Sequence, residues 1–182
     1  MLRYFSIFIL IILTTYSNAE IKDKIIKNLK KTNSLDFNFE QNINGKKENG
    51  NCTVEYPKKI FCIYATDNNK ILVSNGKSLV IKTKTSYYRY PIEKTPLNLI
   101  LDKNYLINKV NELNERIIDK NLINFTILEN DYEINIFFDN QTYDLIGWQN
   151  KDIYQNFNIT FLSLISKNRI LPNNLFKLPL QN

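Results

Sequence analysis

Ile21, Ile25, Ile26 and Leu29 recur at helical spacing among lysines, which predicts an amphipathic helix over residues 20–31. The period then falls to two. Leu35, Phe37, Phe39, Gln41 and Ile43 alternate with Asp36, Asn38, Glu40 and Asn42, the pattern of a strand with one wet face. A polar turn is expected at residues 45–50. Alternation resumes at Cys52, Val54 and Tyr56, breaks at Pro57-Lys58-Lys59, and resumes at Ile60, Cys62 and Tyr64. Strands at 71–73 and 78–82 flank Asn75-Gly76, a hairpin signal in which both turn residues take positive φ. Thr95-Pro96-Leu97, followed by Leu99, Ile100 and Leu101, predicts a short helix with Thr95 as N-cap. Leu106, Val110, Leu113 and Ile117 extend the helical spacing. From Leu122 the period is two again, through Ile123, Phe125 and Ile127, then Tyr132, Ile134, Ile136 and Phe138, then residues 145–149, then Phe157, Ile159 and Phe161. A turn at 172–175 precedes an expected last strand at 176–178.

This pattern is mainly β with helices (α+β): one antiparallel meander whose half-wet strands have only an N-terminal helix and a central helical insert to cover one face. Few helices seal a large curved sheet less tightly than a second sheet does, so a cavity beneath them is expected, with an ordinary aromatic core as the alternative. Its walls are expected from Phe37, Phe39, Val54, Ile60, Val73, Ile134 and Ile136 on the strands and from Leu97, Ile100 and Leu101 in the insert. A chain reversal centred on Pro57 sets Cys52 directly opposite Cys62 with matching parity, within reach of a cross-strand disulfide. Two reduced thiols, or a hairpin with another loop length, are the alternatives.

Composition narrows the chemistry. The 182 residues contain no His and two Cys, which removes His-based catalytic relays and leaves two thiols as an incomplete metal site. Asp131 with Glu133 is the acidic pair to weigh as a glycosidase; both sit near a turn and outside any pocket motif, so no enzyme, cofactor or metal is expected. A net charge of +6 is spread through a Lys-, Asn- and Ile-rich chain. Lys58-Lys59, Lys82 and Lys84 form basic spots, read as solvated strand edges in preference to an anionic-lipid or acidic-partner site. The sequons at Asn51, Asn124, Asn140 and Asn158 are chance matches in an Asn-rich chain. At the start, Met1-Leu2-Arg3, an apolar run from Tyr4 to Leu13 and the small-residue end Ser17-Asn18-Ala19 form a secretory signal peptide cut after Ala19; the run is too short for a membrane span. Residues 20–182 then form a single exported domain.

Several motifs resemble, in order, the outer-membrane lipoprotein carrier protein family (LolA), in its alphaproteobacterial form. Phe39-Glu40-Gln41 is similar to its F-x-Q signature. Pro57 closes the next strand, Tyr64 follows, and residues 71–77 resemble its I-V-S-D-G-K hairpin. Tyr90-Pro91-Ile92 with Thr95-Pro96-Leu97 and Ile100-Leu101 resembles the middle segment, and Gly147-Trp148, Phe161 and Leu175-Phe176 the closing strands. The resemblance implies an incomplete antiparallel β-barrel with a helical lid over a hydrophobic cavity.

It also implies a periplasmic chaperone, a monomer that takes acylated lipoproteins from an inner-membrane ABC transporter and delivers them to the outer membrane, with or without a receptor there, and that binds no nucleic acid. Each acyl CH₂ hidden from water is worth ~0.8 kcal/mol, so carriage needs a cavity and not chemistry. Many members place Arg before the strand-ending Pro, where it helps hold the lid. Here that position is Tyr56, counted with the cavity residues. The competing reading is a periplasmic half-barrel sensor or assembly domain that binds a lipid or protein partner.

Overall fold

The alternating segments pair into one large sheet. The computed structural model describes residues 19–66, 68–129, 132–151 and 156–181; residues 1–18 of the expected signal peptide at 1–19, and Asp131 of the acidic pair, lie outside them. Helix α1 (residues 19–31) is followed by β1 (Ser34–Ile43), β2 (Lys46–Glu55), β3 (Lys59–Tyr64), β4 (Ile71–Asn75), β5 (Ser78–Lys82) and β6 (Tyr87–Pro91). A 3-10 turn (Ile92–Lys94), α2 (Leu97–Ile100) and α3 (Lys103–Glu112) come next. The chain then forms β7 (Arg116–Ile118), β8 (Leu122–Glu129), β9 (Tyr132–Asp139), β10 (Leu145–Lys151) and β11 (Phe157–Lys167).

The eleven strands run in the order β6-β5-β4-β3-β2-β1-β11-β10-β9-β8-β7, so the first and last strands pair at the centre of an unclosed, curved antiparallel sheet. Two meanders fan out from that seam, and the segment 92–115 links their free edges, β6 and β7. Ile25 and Leu29 of α1, with Leu106 and Val110 of α3, pack on the same face of the sheet as Val54, Ile60, Phe125 and Ile134. A fully buried aliphatic side chain contributes ~1.5–3 kcal/mol, which is what fastens these short helices to the sheet. Asp102 caps α3 by accepting the Tyr105 N–H at 3.1 Å.

The reversal at Pro57 has the expected register: Glu55 faces Lys59 across a Tyr56-Pro57-Lys58 loop, and Cys52 faces Cys62. Several local expectations change. Residues 45–50 are not all turn, because β2 begins at Lys46. Gly50 sits in that strand because a Cβ there would lie 2.1 Å from the Ile63 carbonyl and 2.9 Å from the Phe39 ring. At the β4–β5 turn only Gly76 takes positive φ (91°); Asn75 stays in the strand, and its Oδ1 accepts the Lys77 and Ser78 N–H groups. Thr95 does not cap α2 through its side chain: its hydroxyl donates back to the Ile92 carbonyl at 2.8 Å. Ile117 belongs to β7 and is half exposed, since α3 ends at Glu112. Residues 176–178 form no strand. Instead, residues of the 171–177 segment lie over the convex side of the sheet beside Glu55, Lys59 and Asn75.

Candidate functional site

Strand parity decides which side chains reach the space beneath the helices. Phe37, Phe39, Gln41 and Ile43 share the concave face of β1, and register carries that face to Cys52, then Cys62, then Leu72 and Ile81. Together with Leu79, Ile60 and the Thr95-Pro96-Leu97 stretch, these residues enclose a cavity of about 240 Å³. Pro96 and Leu97 form its roof. On its far side the wall is Trp148 and Asn150 of β10 and Asn158 and Thr160 of β11. A wider groove of about 560 Å³ lies by the β1–β2 hairpin, but Glu40, Lys47, Glu48 and Asn49 make it polar and open. The smaller, mainly apolar cavity is the candidate site.

The expected wall residues fall into three groups. Phe37, Phe39, Ile60 and Leu97 line the cavity. Val54, Ile134, Ile136, Ile100 and Leu101 are on the concave side but are packed into the core beyond it, each no more than 1 % exposed. Val73 faces away: it pairs with Phe61, whose neighbours Ile60 and Cys62 hold the concave side, so Val73 belongs to the convex face. Tyr56 also lies outside the cavity. It packs by Leu35 and Thr32, its buried hydroxyl has no hydrogen-bond partner, and burial pushes its phenol pKa up. Lys103 Nζ stands 5.9 Å from its ring centroid.

The disulfide between Cys52 and Cys62 is present, with Cα atoms 4.1 Å apart, and it forms part of the cavity wall. Tyr64 meets Phe39 edge-on at 4.9 Å over Gly50. Burial, reinforced by the Glu48 carboxylate, raises the Tyr64 pKa, so the hydroxyl stays a donor, 3.5 Å from Gln41 Oε1. Lys70 reaches the cavity edge, where its ammonium binds Glu48 at 2.5 Å and lies 4.0 Å from the Tyr64 ring centroid. Three lysines of the basic spots are similarly engaged: Lys58 with Asp102, Lys59 with Glu55, and Lys82 with the Leu180 carbonyl.

Gln41, Asn150, Asn158 and Thr160 were not among the expected site residues. The signal for Gln41 was in its parity with Phe37 and Phe39. For β11 the hydrophobic pattern misled, because Phe157, Ile159 and Phe161 turn outward and Asn158, Thr160 and Leu162 inward.

A curved, open antiparallel sheet with a helical strap across an apolar cavity defines an incomplete β-barrel, a half-barrel domain. Residues 30–179 match the family described as outer membrane lipoprotein carrier protein LolA, and the chain belongs to that family. The family description is that of a carrier, not of an enzyme. No curated protein matches the sequence. Among solved structures, a LolA superfamily protein from Nitrosomonas europaea is similar at 9 % identity and TM-score 0.47, covering 88 % of this chain and 97 % of its own. LprF from Mycobacterium bovis is similar at 15 % identity and TM-score 0.49, with coverage of 87 % and 97 %. A putative outer membrane lipoprotein-sorting protein domain from Vibrio parahaemolyticus is similar at 8 % identity and TM-score 0.48, with coverage of 89 % and 97 %. Among the described residues, no helix is long and apolar enough to cross a membrane.

Proposed function

We propose that the mature chain, residues 20–182, is a periplasmic carrier of acylated lipoproteins, exported by the signal peptide at 1–19 and working as a monomer without cofactor or catalysis. The observation that carries this reading is the apolar cavity roofed by Pro96 and Leu97 in a chain of the LolA family. Acyl chains leaving a membrane lose ~0.8 kcal/mol for each CH₂ that water surrounds, and a soluble escort removes that cost by burying them. At about 240 Å³ the cavity is below the ~300–1,000 Å³ of drug-sized sites. Fuller loading therefore requires the strap to lift. An inner-membrane ABC transporter is the expected donor, and an outer-membrane receptor the expected acceptor where one exists.

The test is release. Inner-membrane vesicles, ATP and the mature protein should yield soluble lipoprotein bound to the carrier. If lipoproteins stay with the vesicles while the protein instead captures a periplasmic protein domain, the carrier reading gives way to a sensor or assembly role.

A further inference from the structure

The free edge of the first meander, strand β6 with its flanking turns, concentrates positive charge and exposed rings. Between Asp67 and Glu93 the chain has no acidic residue and five basic ones, Lys70, Lys77, Lys82, Lys84 and Arg89. Lys70 is neutralised by Glu48, and Lys82 reaches the Leu180 carbonyl at 2.8 Å. Among the described residues, Lys77, Lys84, Arg89 and the adjoining Lys94 are exposed and join no ion pair. Arg89 donates to the Ser78 hydroxyl at 3.0 Å and keeps its charge. The cations stand at both ends of β6: Lys84 in the turn before it, and Lys94 after it, beside Lys77, whose carbonyl accepts the Ile92 N–H at 3.1 Å. Register puts Tyr90 opposite Leu79 and Tyr88 opposite Ile81, so both rings continue the apolar wall of the cavity outward, where they are 44 % and 52 % exposed. On the other side of the edge Tyr87 donates to the Pro179 carbonyl at 3.3 Å, which brings Leu180, 79 % exposed, to the β5–β6 turn. Lysines alone would make this a solvated edge, since charge deters strand pairing. Exposed rings and a leucine make a bare edge more adhesive, so edge protection does not account for them.

We infer that this edge docks the protein on an anionic membrane surface, with β6 lying along the headgroups, Lys77, Lys84, Arg89 and Lys94 facing the phosphates, Tyr88 and Tyr90 at headgroup level, and Leu180 at the acyl boundary. Tyrosine suits that depth because its ring is apolar and its hydroxyl stays wet. The basic side chains are drawn by the negative surface potential, which reaches about a Debye length from the bilayer. A membrane fits the arrangement better than an acidic protein does. The cations are strung along a five-residue strand, roughly 16 Å, on long side chains that a fluid array of headgroups can meet one by one, and Arg89 and Pro91 on the bare edge discourage an added strand. Docking requires no cargo and stands apart from the carrier reading. It sets the cavity wall at Leu79 and Ile81 next to the bilayer.

Co-sedimentation of the mature protein, residues 20–182, with lipid vesicles tests it. Vesicles of phosphatidylcholine containing one-quarter phosphatidylglycerol should bind the protein, and vesicles of phosphatidylcholine alone should bind it at least tenfold less. Salt at about 1 M, where the Debye length is ~3 Å, should release it. At about fivefold in partitioning for each basic residue, Lys84→Gln with Arg89→Gln should weaken binding about 25-fold. Lys27→Gln with Lys30→Gln removes the same charge from exposed positions of α1 and should weaken it less than threefold. Tyr88→Ser with Tyr90→Ser leaves the charge intact and should weaken it at least fivefold. In the wild type, amide exchange over residues 84–91 should slow on the anionic vesicles, a measurement that needs no variant. Equal binding to both kinds of vesicle, equal losses in the α1 and β6 charge variants, or unchanged exchange over 84–91 would each overturn the inference. So would failure to bind anionic vesicles, even if the same edge then bound an acidic protein. The carrier reading is tested apart from this one: docking without release of lipoprotein defeats that reading and leaves the docking edge standing.

Discussion

At the scale of single residues, the cavity wall and the core behind it are distinguishable by what an inserted charge does. Leu97 lines the cavity, whereas Ile100, on the same short helix, is 1 % exposed and packed in the core. Leu97→Asp should therefore weaken uptake of an apolar dye at least tenfold while the protein stays folded, because the carboxylate can face the cavity mouth. Ile100→Asp places an unpaired charge in packed apolar surroundings and should lower stability by about 3 kcal/mol or more, visible as a fall in the urea midpoint. Equal effects of the two substitutions on dye and midpoint would show that the wall is drawn wrongly. The disulfide belongs to the same wall. It closes a sequence separation of 10 residues, for which chain-entropy arguments give about 2–3 kcal/mol. A Cys52→Ala, Cys62→Ala variant should lose about that much stability, and the unreduced, denatured mature wild type should show no titratable thiol. The bond was legible because a symmetric reversal about Pro57 fixes both register and parity. Val73 was not, because the register of the β3–β4 pair, which no local pattern encodes, sets Leu72 opposite Cys62 and Val73 opposite Phe61.

At the scale of elements, hydrophobic period located nearly every strand, and it failed where function or turn chemistry outweighs burial. β11 presents Asn158 and Thr160 to a cavity and leaves Phe157 and Phe161 outside, so period gave the strand and the opposite face. Phe161 is partly shielded by stacking on Phe137 at 5.7 Å across Gly147, a contact between strands that no local pattern encodes. The β9–β10 connection shows how polar residues set an element's end. Asp139 accepts the backbone N–H groups of Thr142, at 2.6 Å, and Gln141, at 2.9 Å, and the Thr142 contact above all holds its carboxyl below the usual range despite the opposing effect of burial. A carboxyl that binds its proton less readily folded than unfolded stabilises the fold fully above its unfolded pKa of 3.8. That contribution is lost as pH falls through the lowered folded value. Asp139→Asn should thus lower the urea midpoint at pH 7 and flatten its decline below about pH 4 relative to wild type. An unchanged acid limb would place the acid sensitivity in other carboxylates.

At the scale of the whole molecule, the sheet is open and its two free edges, β6 and β7, are joined by the same segment that roofs the cavity. That segment acts as a strap, fastened by the burial of Ile100, Leu101, Leu106 and Val110 and by polar contacts on either side of the roof. The Lys58 N–H donates to the Leu101 carbonyl at 2.9 Å, Lys58 Nζ pairs with Asp102 at 3.3 Å, and Lys103 Nζ donates to the Thr32 carbonyl at 2.9 Å. Tyr132 holds the other side through the Lys94 carbonyl at 3.2 Å. In the family pattern an Arg before the strand-ending Pro helps hold the lid. In this chain Tyr56 occupies that position and Lys58, just beyond Pro57, reaches the strap. The Lys58–Asp102 pair is partly exposed, at 29 % and 27 %, so it is worth less than about 1 kcal/mol and its loss should barely alter stability. Its position gives it more influence on rates, because it bridges the hairpin loop to the cap of α3 directly after the roof. Lys58→Met keeps the aliphatic stem and removes the charge. Stopped-flow release of a bound apolar dye should be several-fold faster in this variant, with an urea midpoint close to wild type. Raising the salt concentration should speed wild-type release toward the variant's rate and leave the variant unmoved, since salt screens a pair that only the wild type has. Identical release rates at low salt would mean that cargo leaves by another path than the lifting of this strap.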